Sequence, residues 1–304
     1  MHVARQQPRD APRFEITPHD PSRPTVFMHV PKTSGTALLA ALEAALMPRR
    51  SLRGLDACLF GSFQGFGTIA REIRSQIFVA PDRLPPGADF VGGHLAASTA
   101  ERDYPEAQSL TLLREPQSRL LSHWLFWRAH PDAHLALWGD WADTVRKAEG
   151  SLETFLADPA LACQTDNLHV RMLLWPHSLI PENGFIDERD DERLVGEALA
   201  QLDRFAFADI AENPGVGDNL QRWCGRPVLR ARVNETCPVP PRLKSPLHCE
   251  LTTRALDLLD LRGRLDLRLW ARLAQVRLPD LDVGCLRARI LTKTMARHAW
   301  LMVG

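Results

Sequence analysis

Residues 25–46 read TVFMHVPKTSGTALLAALEAAL, and this stretch decides the fold. The apolar run at 25–30 predicts a buried strand, and the alanine- and leucine-rich run at 36–46 predicts a helix. The glycine, serine and threonines between them predict a short turn. A strand, a tight turn and a helix in succession are typical of an α/β protein with a parallel sheet.

The rest of the chain continues this alternation. Three further apolar runs, at 88–91, 110–113 and 205–210, predict buried strands. Helical patterns are found at 117–129, 152–156, 166–174, 216–224 and 251–276. We therefore expect an α/β fold with a P-loop-like open, mostly parallel sheet flanked by helices. Ligands of such sheets bind beyond the carboxyl ends of the strands, so the residues that follow each strand carry the functional information.

Composition limits the class of protein. The chain has 304 residues, 45% of them hydrophobic, with 37 basic and 37 acidic side chains, which is a globular composition with no net charge. This balance argues against a nucleic-acid-binding protein. The six cysteines are far apart and contain no C-x-x-C pair, so neither a disulfide scaffold nor a metal site is predicted. We expect a cytoplasmic protein with no signal peptide and no integral membrane segment.

The same patterns predict how the chain is divided. Residues 1–23 are polar and proline-rich and predict an N-terminal tail. Residues 24–276 are expected to form a single α/β domain, and residues 277–304 a C-terminal extension.

The turn after the first strand, PKTSGT at 31–36, has the features of an anion site. Free backbone N–H groups and the positive end of the helix dipole both attract an anion at a helix start. Lys32 adds a positive charge, and hydroxyl donors come from Thr33, Ser34 and Thr36. The pattern G-x-x-x-x-G-K-[ST] is absent, which disfavours Mg-ATP chemistry. The alternative is a capped helix with a lysine that faces solvent.

The third strand ends in Arg114, and Ser122 lies on the helix that follows. An arginine at a strand end can bind a phosphate through two hydrogen bonds, and a serine on the second helical turn can contact the same group. The alternative is a structural ion pair of Arg114 with Glu115 or Glu101. Two anion sites on one sheet edge suit a ligand with two separated anionic groups.

The motifs PKTSGT and LLREPQSRLLSH resemble the 5′-phosphosulfate and 3′-phosphate motifs of sulfotransferases that use 3′-phosphoadenosine 5′-phosphosulfate (PAPS). The resemblance is closest to the branch of heparan sulfate 2-O-sulfotransferase and related bacterial proteins, and weaker similarity continues over about residues 24–275. It implies PAPS as donor, 3′-phosphoadenosine 5′-phosphate (PAP) as product, and no metal. It also implies that Arg114, Ser122 and a loop with Asn234 lie at the nucleotide, together with Lys32, Thr33, Ser34, Gly35 and Thr36.

The second strand is followed by Gly92, Gly93 and His94. Glycine lets a ligand approach the backbone closely, and a histidine can accept a hydroxyl proton near neutral pH. The resemblance implies that His94 is the catalytic base and that Lys32 stabilises the leaving phosphate. The alternative is a buried structural histidine. The heparan-type relatives have a second histidine where this chain has Gly92.

These motifs together predict transfer of a sulfuryl group from PAPS to an acceptor hydroxyl, on a carbohydrate. The alternatives are sulfation of a small metabolite, a non-catalytic PAP- or glycan-binding protein, and a nucleotide kinase-like phosphotransferase. Asn167 and Arg171 share one helix face and, with Trp127, are candidate acceptor-site residues. The alternatives are a surface hydrogen-bonded pair for the first two and a core position for the tryptophan.

Overall fold

The computed structural model describes residues 12–78, 83–228 and 238–303. Six strands form one sheet in the order β3-β2-β4-β1-β5-β6, and every pairing is parallel. The strands are β1 (Thr25–Met28), β2 (Ser51–Asp56), β3 (Ile77–Phe78), β4 (Phe90–His94), β5 (Gln108–Leu113) and β6 (Phe207–Ile210). The predicted α/β fold with an open parallel sheet is confirmed.

Helices precede and follow the strands and cover the sheet. The α-helices are α1 (Gly35–Leu46), α2 (Arg71–Arg74), α3 (Ala97–Asp103), α4 (Pro116–Arg128), α5 (Asp132–Leu135), α6 (Trp141–Arg146), α7 (Leu152–Ala157), α8 (Ala162–Thr165), α9 (Leu168–Leu174), α10 (Asp191–Asp203), α11 (Val216–Cys224), α12 (Leu247–Glu250), α13 (Thr253–Arg262), α14 (Arg264–Arg277) and α15 (Val283–Val303). Short 3-10 helices lie at Ala57–Leu59, Gly65–Thr68, Ala136–Trp138, Lys147–Glu149, Pro159–Leu161, Glu188–Asp190 and Pro241–Leu243.

Three features differ from the sequence prediction. Strands β2 and β3 were not predicted, because SLRGLD has only two large apolar residues and β3 is two residues long. Strand β4 starts and ends later than the predicted 88–91, so His94 is its last residue rather than a residue beyond it. The predicted helix at 251–276 is two helices, α13 and α14, which meet at Gly263.

Successive residues of the central strand face opposite layers. Phe27 belongs to the buried cluster that contains Leu42 of α1 and Trp223 of α11. Met28 belongs to the larger cluster on the other face, which contains Trp270 of α14. This alternation, which follows from the two-residue period of a strand, places helices on both faces of the sheet.

The two ends of the described chain pack onto this core. Phe14, within the segment predicted as a tail, is buried, and its carbonyl accepts a 2.6 Å hydrogen bond from Nη2 of Arg277. Leu301 and Met302 of α15 belong to the larger core cluster. Both segments are therefore held by the α/β core. None of the helices in the described ranges combines the length and the apolar character needed to cross a membrane.

Candidate functional site

Three strand exits meet at one edge of the sheet. Strand β1 lies between β4 and β5, so the residues that follow these strands are neighbours. Nη1 of Arg114, after β5, donates a 2.8 Å hydrogen bond to the backbone carbonyl of Lys32, after β1. Nδ1 of His94, at the end of β4, lies 2.6 Å from the carbonyl oxygen of His29. Hydrogen bonds therefore connect all three exits directly.

The turn after β1 exposes the start of α1. Lys32 and Ser34 have φ values of 67° and 65°, in the left-handed region. Ser34 is the N-cap of α1 but makes no side-chain capping bond, and both Ser34 and Thr36 are exposed. The first N–H groups of a helix have no partner within the helix. This surface can therefore donate several hydrogen bonds to an anion.

Gly35 is required because the His29 ring lies against it. A Cβ atom at position 35 would lie 1.9 Å from Cδ2 of His29. The His29 ring is itself buried and stacks on Phe27, with 5.6 Å between the ring centroids. This close contact joins the start of α1 to the end of β1 and fixes the direction of the helix.

Thr33 has a different role from the predicted one. Its hydroxyl, expected to face the ligand, donates a 2.8 Å hydrogen bond to the carbonyl of Val30, and its backbone N–H donates to the same oxygen at 3.3 Å. The side chain is completely buried. Thr33 therefore closes the turn and has no donor left for a ligand, because the loop needs its own polar groups satisfied.

Lys32 is a cation without an anionic partner. Its ammonium lies 3.8 Å from the centroid of the Phe126 ring, and no carboxylate of the described residues forms an ion pair with it. Burial, and after it the charges of Arg114 and Arg297, together lower the pKa of Lys32 to about 7. An anion bound here would reverse this effect, since a neighbouring negative charge favours the protonated amine.

No carboxylate of the described residues lies within ion-pair distance of Arg114, although the charges of Glu212 and Glu115 act on it. The alternative of an ion pair with Glu115 is excluded, because that carboxylate accepts from the backbone of Ser118 at 2.7 Å and pairs with Arg287 at 3.1 Å. The other alternative partner, Glu101, pairs instead with Arg204, the residue that follows α10. The guanidinium therefore has N–H groups left that could donate hydrogen bonds to a phosphate.

Ser122 lies on the second turn of α4, the helix that follows Arg114, and is mostly buried. No hydrogen bond of its hydroxyl is found among the described residues. Asn234, the remaining predicted nucleotide residue, lies outside the described residues.

His94 has the protonation state of a general base. Burial lowers its pKa, the hydrogen bond to His29 opposes this, and the charge of Lys32 lowers it further, so the ring is neutral at pH 7. A carbonyl can only accept, so the proton of the neutral ring lies on Nδ1, which donates to His29. Nε2 then carries the lone pair that can take a proton from a hydroxyl.

Gly92 shows why a second histidine is absent from β4. A Cβ atom at this position would lie 2.7 Å from Cδ1 of Leu39, a buried residue of α1. A larger side chain at position 92 would require α1 to move away from the sheet.

Two of the predicted acceptor-site residues are structural. Asn167 is fully buried and lies before α9, and its Oδ1 accepts a 2.8 Å hydrogen bond from the backbone of Leu265. Arg171 is buried in α9 and pairs with Asp166 at 2.9 Å. The prediction that they line the cleft is wrong, because both side chains connect α9 to neighbouring segments of the core.

Trp127, the third candidate, belongs to an aromatic cluster of the core. Its ring makes edge contacts with His123, Trp141 and Phe155, at centroid distances of 4.6, 6.3 and 5.9 Å. Only 8% of its surface is exposed. The structure therefore supports the alternative of a core position.

Sequence reasoning missed four residues beside Lys32: Phe126, His130, Arg297 and His298. The ring of Phe126 contacts the ammonium, and His130 packs edge-on against Phe126 at 4.5 Å. His130 lies just after the end of α4, four residues after Phe126, and this spacing could have indicated that the two side chains are neighbours. Arg297 and His298 are far away in sequence, and no local pattern links them to Lys32.

No group of three or more histidine, cysteine or acidic side chains in the described ranges is arranged to hold a metal ion. No family model matches this chain, and no curated protein matches it.

Proposed function

We propose that this protein transfers a sulfuryl group from PAPS to an acceptor hydroxyl. The observation that carries the proposal is the hydrogen bond between the Arg114 guanidinium and the Lys32 carbonyl. It holds together two cationic side chains that have no carboxylate partner among the described residues. The neutral imidazole of His94 ends the adjacent strand. Two anion-binding groups and one base on a single edge match the needs of a donor with two phosphate groups.

The residues of the β1 exit would hold the 5′ end of the nucleotide. Lys32 and the backbone N–H groups at the start of α1 would stabilise negative charge on the oxygen that leaves sulfur. Arg114 and Ser122 would hold the 3′-phosphate and thereby fix the position of the donor. Thr33 closes the turn and takes no part in binding.

His94 would act on the acceptor. When bound, the donor supplies the sulfuryl group: its sulfur–oxygen bond to phosphate breaks as the bond from sulfur to the acceptor oxygen forms. Nε2 of His94 takes the hydroxyl proton, while the hydrogen bond from Nδ1 to His29 keeps the ring oriented. Positioned proton transfer of this kind contributes about 10²–10⁴-fold in rate.

The proposed acceptor is a carbohydrate hydroxyl. Beside Lys32 lies a row of aromatic rings, in which Phe126 contacts His130 edge-on and His130 stacks on His134 at 5.0 Å. The zero net charge favours an uncharged acceptor over a long polyanion. We also propose a cytoplasmic location, because the cysteines of the described residues are all free thiols.

Thermal denaturation with PAP and with ATP plus Mg²⁺ tests the donor site. A ligand at 100 times its Kd stabilises a protein by about 2.7 kcal/mol. We expect PAP to stabilise the wild type, and most of this stabilisation to be lost in Arg114→Ala. The control is Arg50→Ala, which replaces an exposed arginine next to the start of β2. Stabilisation by ATP plus Mg²⁺ alone would refute the proposal in favour of a phosphotransferase.

Transfer from radiolabelled PAPS to a panel of sugars and small hydroxylated metabolites tests catalysis and the acceptor. We expect label on a carbohydrate with the wild type and none above background with His94→Ala. PAP binding without transfer to any acceptor would support the non-catalytic alternative. Label confined to small metabolites would overturn the carbohydrate assignment.

A further inference from the structure

Helix α15 lies against α4, the helix that follows Arg114. Nε of Arg287 pairs with Glu115, the N-cap of α4, at 3.1 Å. About two turns further along α15, Oγ1 of Thr294 lies 2.9 Å from Oγ of Ser118, and both residues are buried. The backbone of Leu301 accepts a 3.2 Å hydrogen bond from Val239. Contacts along its length therefore fix the position of α15.

These contacts direct His298 towards the part of α4 that carries Ser122. His298 follows Thr294 by four residues, and Ser122 follows Ser118 by four, so each pair shares one helix face. Only 4% of the His298 surface is exposed, and its buried Nδ1 has no hydrogen-bond partner among the described residues. A buried polar atom without a partner is costly, which points to a ligand as the missing partner.

The electrostatic contacts place α15 at the cation cluster. The charges of Arg114, Arg297 and Lys32 all act on His298, and together with burial they lower its pKa to about 3. The charge of Arg297 also acts on Lys32 and on Arg114. Arg297 is exposed and forms no ion pair with a carboxylate of the described residues. The charges of Glu212 and Glu115 act on Arg114. No carboxylate of the described residues lies within ion-pair distance of these three cations, and all three act on one neutral imidazole.

We propose that α15 forms a wall of the nucleotide site, in which Arg297 and Nδ1 of His298 bind the same phosphate as Arg114. This inference rests on the proposed function and assigns the two residues to the 3′-phosphate of the nucleotide. Arg114 is the charge that acts most strongly on His298, and Ser122 lies one turn after Ser118, which contacts α15. The neutral imidazole of His298 donates a hydrogen bond from Nδ1–H to the phosphate. Arg297, which is exposed, supplies a positive charge at the solvent side of the same group.

Calorimetric binding of PAP and of adenosine 5′-monophosphate to five proteins tests this assignment. The variants are Arg297→Ala, His298→Leu, His298→Asn and the control Arg289→Ala, an exposed arginine about 12 Å earlier on the same helix. We expect about a tenfold or greater loss of PAP affinity in Arg297→Ala and His298→Leu, because each loses a hydrogen bond to a charged group. His298→Asn keeps a polar atom near the position of Nδ1 and should recover part of the loss.

The second ligand identifies the phosphate. Adenosine 5′-monophosphate lacks the 3′-phosphate, so its affinity should change less than twofold in all four variants. Unchanged PAP affinity in Arg297→Ala and His298→Leu would overturn the inference while leaving the proposed function intact. An equal loss for both nucleotides would overturn the assignment to the 3′-phosphate. Failure of the wild type to bind PAP would instead refute the proposed function and with it this inference.

Discussion

Replacing Lys32 by methionine is expected to stabilise the unliganded protein and to remove its response to PAP. The ammonium is partly buried and forms no ion pair with a carboxylate of the described residues, and burial together with the charges of Arg114 and Arg297 lowers its pKa from 10.5 to about 7. A difference of this size corresponds to a cost of roughly 5 kcal/mol for the charged form in the folded state. Partial exposure of the side chain makes this an upper bound.

Two smaller contributions of opposite sign partly cancel. The substitution removes the contact of the ammonium with the Phe126 ring, worth about 0.5–2 kcal/mol. A methionine sulfur against the same ring returns about 0.3–1.5 kcal/mol. We therefore expect Lys32→Met to raise the free energy of unfolding by about 1–3 kcal/mol at pH 6, where Lys32 is charged in both states.

The gain should depend on pH in a defined direction. Between about pH 7 and pH 10.5 the unfolded chain keeps the Lys32 proton and the folded protein loses it. The wild type then binds fewer protons when folded, so its stability rises with pH, by at most about 1.4 kcal/mol per pH unit from this group. The advantage of Lys32→Met is therefore largest below pH 7 and becomes smaller towards pH 9.

Urea denaturation at pH 6 and pH 9 measures this difference, with Lys293→Met, an exposed lysine of α15, as the control. Thermal denaturation with PAP at pH 6 adds the second readout, in which the wild type is stabilised and Lys32→Met is not. A variant no more stable than the wild type at pH 6, or with the same gain at both pH values, would refute the reasoning about the unpaired ammonium.

Three further predictions concern the base, the turn and the core. His94→Ala should lower turnover about 10²–10⁴-fold and leave the calorimetric affinity for PAP within twofold; wild-type turnover would exclude His94 as the base. Gly35→Ala should lower the free energy of unfolding by about 1–3 kcal/mol in urea denaturation, because the new Cβ meets a buried ring 1.9 Å away. Gly196→Ala, at an exposed position of α10 where a Cβ would meet nothing within 4 Å, should instead raise the free energy of unfolding by about 0.5–1 kcal/mol. An equal loss of stability in both variants would contradict the steric argument. Arg171→Ala should cost about 3 kcal/mol, because it removes the shortest ion pair of the buried Asp166 carboxylate and leaves only Arg262 and Arg264, at 3.8 and 3.9 Å. The folded variant should keep the wild-type KM for the acceptor, and a raised KM at unchanged stability would return Arg171 to the acceptor site.

Local patterns were enough to predict the strands that position the site. The ends of β1 and β5 could be predicted because each short apolar run is followed directly in sequence by residues typical of a helix start. Strand β2 was missed because its residues alternate between exposed and buried, which gives a weak apolar pattern in the sequence. Its position beside β4 depends on pairing with residues that are distant in sequence. The end of β4 was misplaced because glycines at 92 and 93 read as a turn, whereas close contacts with α1 and β2 demand them within the strand.

The sequence by itself determined that a turn rich in hydrogen-bond donors, a histidine and an arginine lie at the ends of three strands of a parallel sheet, since each feature is encoded within a few adjacent residues. Only the tertiary structure decided which polar groups remain free to bind a ligand. Thr33 uses its donors within the turn and Asn167 within the core, whereas His298, more than 180 residues after Arg114, retains an unpaired nitrogen. Hydrogen-bond satisfaction depends on every segment that packs around a group, and no local pattern contains that information.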